Sequence, residues 1–111
     1  IMAIKPLFSI FDAYRQQMEG FGYSTSVCAS VLAANTAEQM TVPTGAKYVL
    51  FSGTANYYVA FGADPTAAVP ATEVADGSAS CLNPGLRALD GAAKIGLISP
   101  TDCVVTMEFF S

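Results

Sequence analysis

Residues 47–62 read KYVLFSGTANYYVAFG, and the interpretation of this stretch decides the fold. Two runs rich in β-branched and aromatic residues, 47–52 and 55–61, flank a Ser-Gly-Thr break. Such side chains suit a pleated, half-buried surface, and a glycine in a short break supplies a tight reversal. The stretch predicts the central antiparallel hairpin of a small β-sandwich. In the second run Tyr57, Val59 and Phe61 share a core face, opposite Asn56, Tyr58 and Ala60. The first run is apolar on both faces, with Tyr48 and Leu50 alternating with Val49 and Phe51. A strand covered on both sides in a two-layer fold needs a further cover. Either the N-terminal segment or a neighbouring subunit would supply it.

Outward from this hairpin the pattern stays β. Residues 103–110 alternate well: Cys103, Val105, Met107 and Phe109 are expected in the core, and Val104, Thr106, Glu108 and Phe110 outside. Residues 93–98 form another strand, with Ile95 and Leu97 on one face. On the N-terminal side, Thr25, Val27, Ala29 and Val31 alternate with Ser24, Ser26, Cys28 and Ser30, a half-buried strand. Residues 33–36 are a loop, and 38–42 a short strand closed by the turn residues Pro43-Thr44-Gly45. Residues 62–85 are rich in small and turn residues and read as a long ordered loop, with short strands near 72–75 and 80–82. Residues 86–89 lead to a turn at Asp90-Gly91. Seven or so short strands punctuated by turns indicate an all-β, antiparallel β-sandwich, jelly-roll-like, over residues 23–111.

Residues 1–22 differ. Leu7, Phe11, Tyr14 and Met18 recur at helical spacing, with Asp12, Arg15, Gln16, Gln17 and Glu19 on the other face. Pro6 suits a helix start, and Gly20 with Gly22 an end. The expectation is an N-terminal arm carrying an amphipathic helix over residues 7–19. A helix this short is marginal alone, so its apolar face must dock on its own sandwich or on a neighbour. The segment is too short and too interrupted by charge for a signal peptide.

Composition narrows the function. The chain has 111 residues, 52% hydrophobic and only 13% charged, with a net charge of −4. One domain of this size can build a core. Its apolar excess argues that some surface meets other subunits. Five Lys and Arg, scattered, make neither a nucleic-acid footprint nor a polybasic membrane patch. No apolar run approaches the roughly 18 residues that cross a bilayer. With no His, a hydrolytic triad lacks its usual base. Cys28, Cys81 and Cys103 lack metal-ligand spacing and read as three buried free thiols, the alternative being one disulfide with a thiol left over. Asp64, Glu73 and Asp76 share the long loop, where acids ordinarily decorate turns rather than form a carboxylate pair or a calcium loop. The expectation is a protein that is not an enzyme, with no cofactor and no metal.

Residues 33–38 (AANTAE), 42–52 (VPTGAKYVLFS), 76–78 (DGS), 83–87 (NPGLR) and 98–106 (ISPTDCVVT) together resemble small virion structural proteins of tailed bacteriophages, of the minor capsid, decoration or cement type. The resemblance covers roughly residues 30–110, and its motifs are turns and strands, not chemistry. It implies a small β-sandwich, often trimeric, located on the virion and clamped over junctions of the major capsid protein. The candidate interface residues are Leu7, Phe11, Tyr14 and Met18 on the arm and Tyr48, Leu50, Tyr58 and Phe110 on the sandwich. The alternative is a carbohydrate-binding or attachment sandwich of a phage tail or fibre, in which Tyr48, Tyr57 and Tyr58 stack on sugar. Deleting residues 1–22 is expected to leave the β domain folded, by circular dichroism and thermal melting, while weakening assembly in light scattering. Loss of the folded core would show that the arm packs on its own chain.

Overall fold

A computed structural model describes Ile10–Phe11, Gln17–Met18, residues 23–24 and residues 26–111. The described residues are all β, with no helix. They form β1 (Ile10–Phe11), β2 (Gln17–Met18), β3 (Ser26–Leu32), β4 (Glu38–Thr41), β5 (Tyr48–Gly53), β6 (Tyr58–Gly62), β7 (Cys81–Leu82), β8 (Leu86–Ala88), β9 (Lys94–Ile98) and β10 (Cys103–Phe110). β1 and β2 pair with each other, Ile10 opposite Met18 and Phe11 opposite Gln17. This corrects the expected helix over 7–19, because Phe11 and Met18 belong to paired strands. So few turns gain little from helical hydrogen bonds alone, and a β-branched and aromatic pair such as Ile10-Phe11 suits a strand equally well. Leu7 and Tyr14 lie outside the described residues.

The other eight strands form two antiparallel sheets, in the orders β3-β10-β5-β8 and β4-β9-β6-β7. Four pairs are nested: β3 with β10, β4 with β9, β5 with β8 and β6 with β7. The chain is thus one long antiparallel ribbon, its tip between β6 and β7, rolled up so that successive pairs alternate between sheets. Added pairings of β10 with β5 and β9 with β6 knit each roll into a sheet. The inward residues of both sheets share one core: Leu32, Val49, Phe51, Val105, Met107 and Phe109 from the first, and Val59, Ile95 and Leu97 from the second. The alternation expected for 103–109 holds, since Cys103, Val105, Met107 and Phe109 are all buried. Tyr57 and Val59 are buried as expected, and Phe61 packs against them half-buried.

The central hairpin is not formed. β5 and β6 lie in different sheets, and the break between them is an arch. Its polar groups are bound elsewhere. Thr54 N donates to Val104 O at 3.1 Å, and Val104 N donates to Thr54 Oγ1 at 3.0 Å. Tyr57 N donates to Asn83 Oδ1 at 2.9 Å, and Asn83 N donates back to Tyr57 O at 2.9 Å. Gly53 serves space rather than a reversal: a Cβ there would stand 2.6 Å from the Tyr57 ring. The glycine lets that ring fold back over the arch into the core.

The doubly covered strand is β9, not the first run of residues 47–62. Ile95 and Leu97 face the core, and Gly96 and Ile98, on the other side, are buried as well. The cover comes from the chain itself. Residues 63–69 cross the outer face of β9, burying Pro65 and Ala67, and a Cβ on Gly96 would meet Pro65 O at 2.9 Å and Ala67 N at 3.2 Å. Gln39 on β4 clamps this loop, its Nε2 donating to Asp64 Oδ1 at 2.8 Å and to Pro65 O at 2.7 Å. Residues 72–75 form no strand. The turn at Pro43-Thr44-Gly45 is present, with Gly45 at φ 88° and Ala46 N donating to Pro43 O.

Gly96→Val is expected to lower stability by about 1–3 kcal/mol, since backbone rather than a flexible side chain blocks the added atoms. Gly85→Ala, which meets nothing within 4 Å, should stay within about 0.5 kcal/mol. Urea midpoints of the two variants check the difference.

Candidate interaction surface

The outer face of the first sheet follows from its register. Val31 lies beside Val104, Ala29 beside Thr106 and Ser52, and Val27 beside Glu108, Leu50 and Leu86. The last row sets Phe110 beside Tyr48 and Ala88. Glu108 is the one charged residue in these rows. Val27 and Val31 are 51% and 73% exposed, and Tyr48 and Leu50 are half-buried. An apolar sheet face of this kind is unusual on a chain with polar residues available for it.

β3 turns its polar set inward. Ser30 is 8% exposed and its Oγ donates to Glu38 Oε2 at 3.2 Å. The Val-Ala-Val set faces out. The hydroxyl finds a partner on β4, so its burial leaves no orphaned group, and the valines are free to serve the surface. Sequence alternation located the strand but assigned neither face to the core. The available signal was charge: residues 23–37 contain no Asp, Glu, Lys or Arg.

The expected interface residues do not form one surface. Tyr48 and Leu50 share the outer face of the first sheet. Tyr58 is half-buried on β6 in the second sheet, opposite Ile98 and Leu82. Phe110, expected outside, is 1% exposed. The end of β10 is closed from both sides, with Ser24 Oγ donating to Phe109 O at 2.7 Å and Lys47 N to Phe110 O at 2.7 Å.

The three tyrosines of the sugar-stacking alternative are also separated. Tyr57 is in the core, 4% exposed, with its hydroxyl donating to Pro84 O at 3.1 Å and its ring tilted against Phe51 at 6.3 Å. Burial, with smaller contributions from Cys103 and Cys81, pushes its pKa above the ordinary 10.0. Among the loop acids, Asp64 is engaged by Gln39. Asp76 accepts from Ser78 Oγ at 2.6 Å and Ser78 N at 3.0 Å, bonds that hold its carboxyl below the usual range. This is a self-contained turn. Among the described residues no group of three or more Cys, Asp or Glu is placed to hold a metal ion. The three cysteines are free: Cys103 is buried with Sγ toward Ala55 O, Cys28 is half-buried, and Cys81 is half-buried beside the Arg87 guanidinium at 3.7 Å.

One open hollow of about 410 Å³ adjoins the apolar face, lined by Val31, Leu32, Ala33, Thr54, Asp102, Cys103 and Val104. Asp102 accepts from Ala34 N at 3.0 Å on its rim. No protein-family model, curated protein or solved structure matches the chain.

Tyr57→Phe is expected to cost about 1–2 kcal/mol, because Pro84 O loses its donor inside the protein. The raised pKa also fixes a pH dependence. Tyr57 favours its neutral form when folded, so its contribution is intact below the ordinary 10.0 and is lost as pH rises from there through the folded value. Urea unfolding between pH 8 and 11 should show a smaller alkaline loss for Tyr57→Phe than for the parent.

Proposed function

We propose that the protein is a non-enzymatic virion structural protein, a decoration or cement protein that docks on the major capsid protein at the particle surface and works as a homo-oligomer. The apolar outer face of the first sheet, on which Tyr48, Leu50 and Leu86 lie together toward β8, is the observation that carries this reading. A face of this kind has no use for a chain that works alone, and it gives a binding role a place on the fold.

The fold supports the same reading. Two four-stranded antiparallel sheets with a common core support a β-sandwich reading. Numbering the eight strands in chain order, the sheets run 1-8-3-6 and 2-7-4-5, the order of a jelly roll, an architecture common among capsid and lectin domains. The fold alone selects no function. The resemblance carried by residues 33–38, 42–52, 76–78, 83–87 and 98–106 selects the virion among the roles a jelly roll can take. These segments include the turn after β4, the arch-binding Asn83-Pro84-Gly85 and the strand entry at Cys103, so the resemblance rests on the residues that shape the roll.

Docking would bury side chains that are now half-exposed. Burying a leucine contributes about 1.5–3 kcal/mol, and an introduced charge would have to be desolvated as well. Leu50→Lys, whose ammonium would stand beside Glu108 rather than against a like charge, is therefore expected to weaken binding to purified capsid shells at least tenfold in a sedimentation assay, with the circular dichroism spectrum of the folded protein retained. Parent protein with no affinity for shells, or a variant that binds as tightly as the parent, would contradict the proposal.

A further inference from the structure

We propose that β3 is a self-association edge. It pairs antiparallel with β3 of a second copy about a two-fold axis at Ala29, joining two first sheets into one continuous eight-stranded sheet. The proposal rests on the homo-oligomer part of the reading above and names the edge and the symmetry, a two-fold in place of the trimer that the resemblance implies. It does not use the capsid-docking side chains Tyr48, Leu50 and Leu86.

The free edges of the two large sheets are β3, β8, β4 and β7. Exposed edges present unpaired backbone donors and acceptors, and proteins blunt them with shortness, charge or proline. β7 has two residues, β8 has three and carries Arg87, and β4 has four and carries Glu38. β3 has seven residues, SVCASVL, with no charge and no proline. Among the described residues it alone of these edges has none of the usual protections.

The edge is also complementary to itself. With Ala29 on the axis, Val27 stands opposite Val31 of the second copy, and Val31 opposite its Val27. The outward row then becomes a continuous apolar ladder across the seam, the kind of cross-strand pair that stabilises antiparallel sheets. Inward, Cys28 falls opposite Ser30, both small. An isologous contact demands this mirror pattern, in which each residue meets the counterpart of its partner. The ends match too. Tyr23, 74% exposed, lies just before β3, and the open hollow at Leu32 and Ala33 lies just after it. Antiparallel pairing carries each Tyr23 toward the hollow of the other copy.

Charge points to the same occupant. Two chains of net charge −4 repel, so they meet best where neither presents charge. Residues 23–37 are that stretch. A partner recognised by ion pairs would find nothing to hold there. A seven-residue edge with few side chains lies at the small end of specific interfaces, so the dimer is expected to be reversible.

Light scattering on the full chain at about two hundred micromolar, with dilution, tests the proposal. The parent should show twice the mass of the 11.5 kDa chain, falling toward one chain on dilution. Val27→Lys with Val31→Lys should be monomeric throughout, with an unchanged circular dichroism spectrum, since both side chains are exposed. Ala29→Cys, in a Cys28→Ser, Cys81→Ser background, should be joined into a cross-linked dimer by a short bis-maleimide, which spans a hydrogen-bonded pair that a disulfide would strain. A monomeric parent, a trimer, a dimer that survives both lysines, or a dimer in which the Ala29→Cys variant fails to cross-link would each overturn the proposal. Shell binding is read separately: a monomeric parent that still binds shells removes this proposal and leaves the capsid reading standing.

Discussion

The pairing of β10 with both β3 and β5 is the constraint on which the rest depends. β10 is the last strand of the chain, yet it lies inside the first sheet. Its inward side chains, Cys103, Val105, Met107 and Phe109, are between 0% and 3% exposed. Burying each larger one contributes about 1.5–3 kcal/mol, and together they outweigh the entropy of closing a long loop, which grows only slowly with length. The outermost pair of the nested ribbon therefore joins its two ends. Such non-local pairing forms slowly, so β10 is expected to dock late.

The inner turns of the roll are held by polar groups rather than by close-packed side chains. Asn83, at φ 45°, exchanges backbone and side-chain bonds with Tyr57 and reaches Asn56 Oδ1 at 2.9 Å through its Nδ2. Phe51 N donates to Gly85 O at 3.0 Å, so both sides of the β5–β6 arch are fastened to the segment before β8. Ser99, 0% exposed, does similar work after β9. Its Oγ donates to Asn56 O at 2.6 Å, and its carbonyl accepts from Asn35 N at 2.7 Å. The buried Ser99 hydroxyl with its partners helps fix one arrangement, and a missing partner would cost more than the bond contributes.

Much of the fold was legible from period and turn chemistry. The core face of β10, the Ile95–Leu97 face of β9, and the turns at Gly45 and Asp90-Gly91 follow from alternation and from residues that tolerate positive φ. What was not legible depends on partners distant in sequence. Ser-Gly-Thr reads as a reversal until Asn83 and Val104 claim its backbone. Alternation places β3 but does not say which face is inside, and a buried Ser30 satisfied by Glu38 reverses the choice that apolarity suggests. Gly96 looks like an interruption of a strand, whereas it is where the long loop passes closest. The helical spacing from Phe11 to Met18 fits a helix by number alone, and local spacing carries no information about the pairing of Ile10 with Met18.

The interaction surface was legible only in part. Tyr48 and Leu50 stand on the outer face of the first sheet as expected. Val27 and Val31 join them because β3 turns its serine side inward, and Phe110, in the same row as Tyr48, is buried. Every one of these placements requires β5 to lie beside β10 and apart from β6. A hairpin of β5 and β6 would move Tyr48 and Leu50 to different neighbours and dissolve the apolar rows. Cross-strand nuclear Overhauser contacts between α-protons test this most directly. The account predicts contacts linking Phe51 and Val49 of β5 to Met107 and Phe109 of β10, the pairs whose α-protons face each other, with none between β5 and β6. A ladder of contacts between β5 and β6, with β10 absent from beside β5, would contradict it.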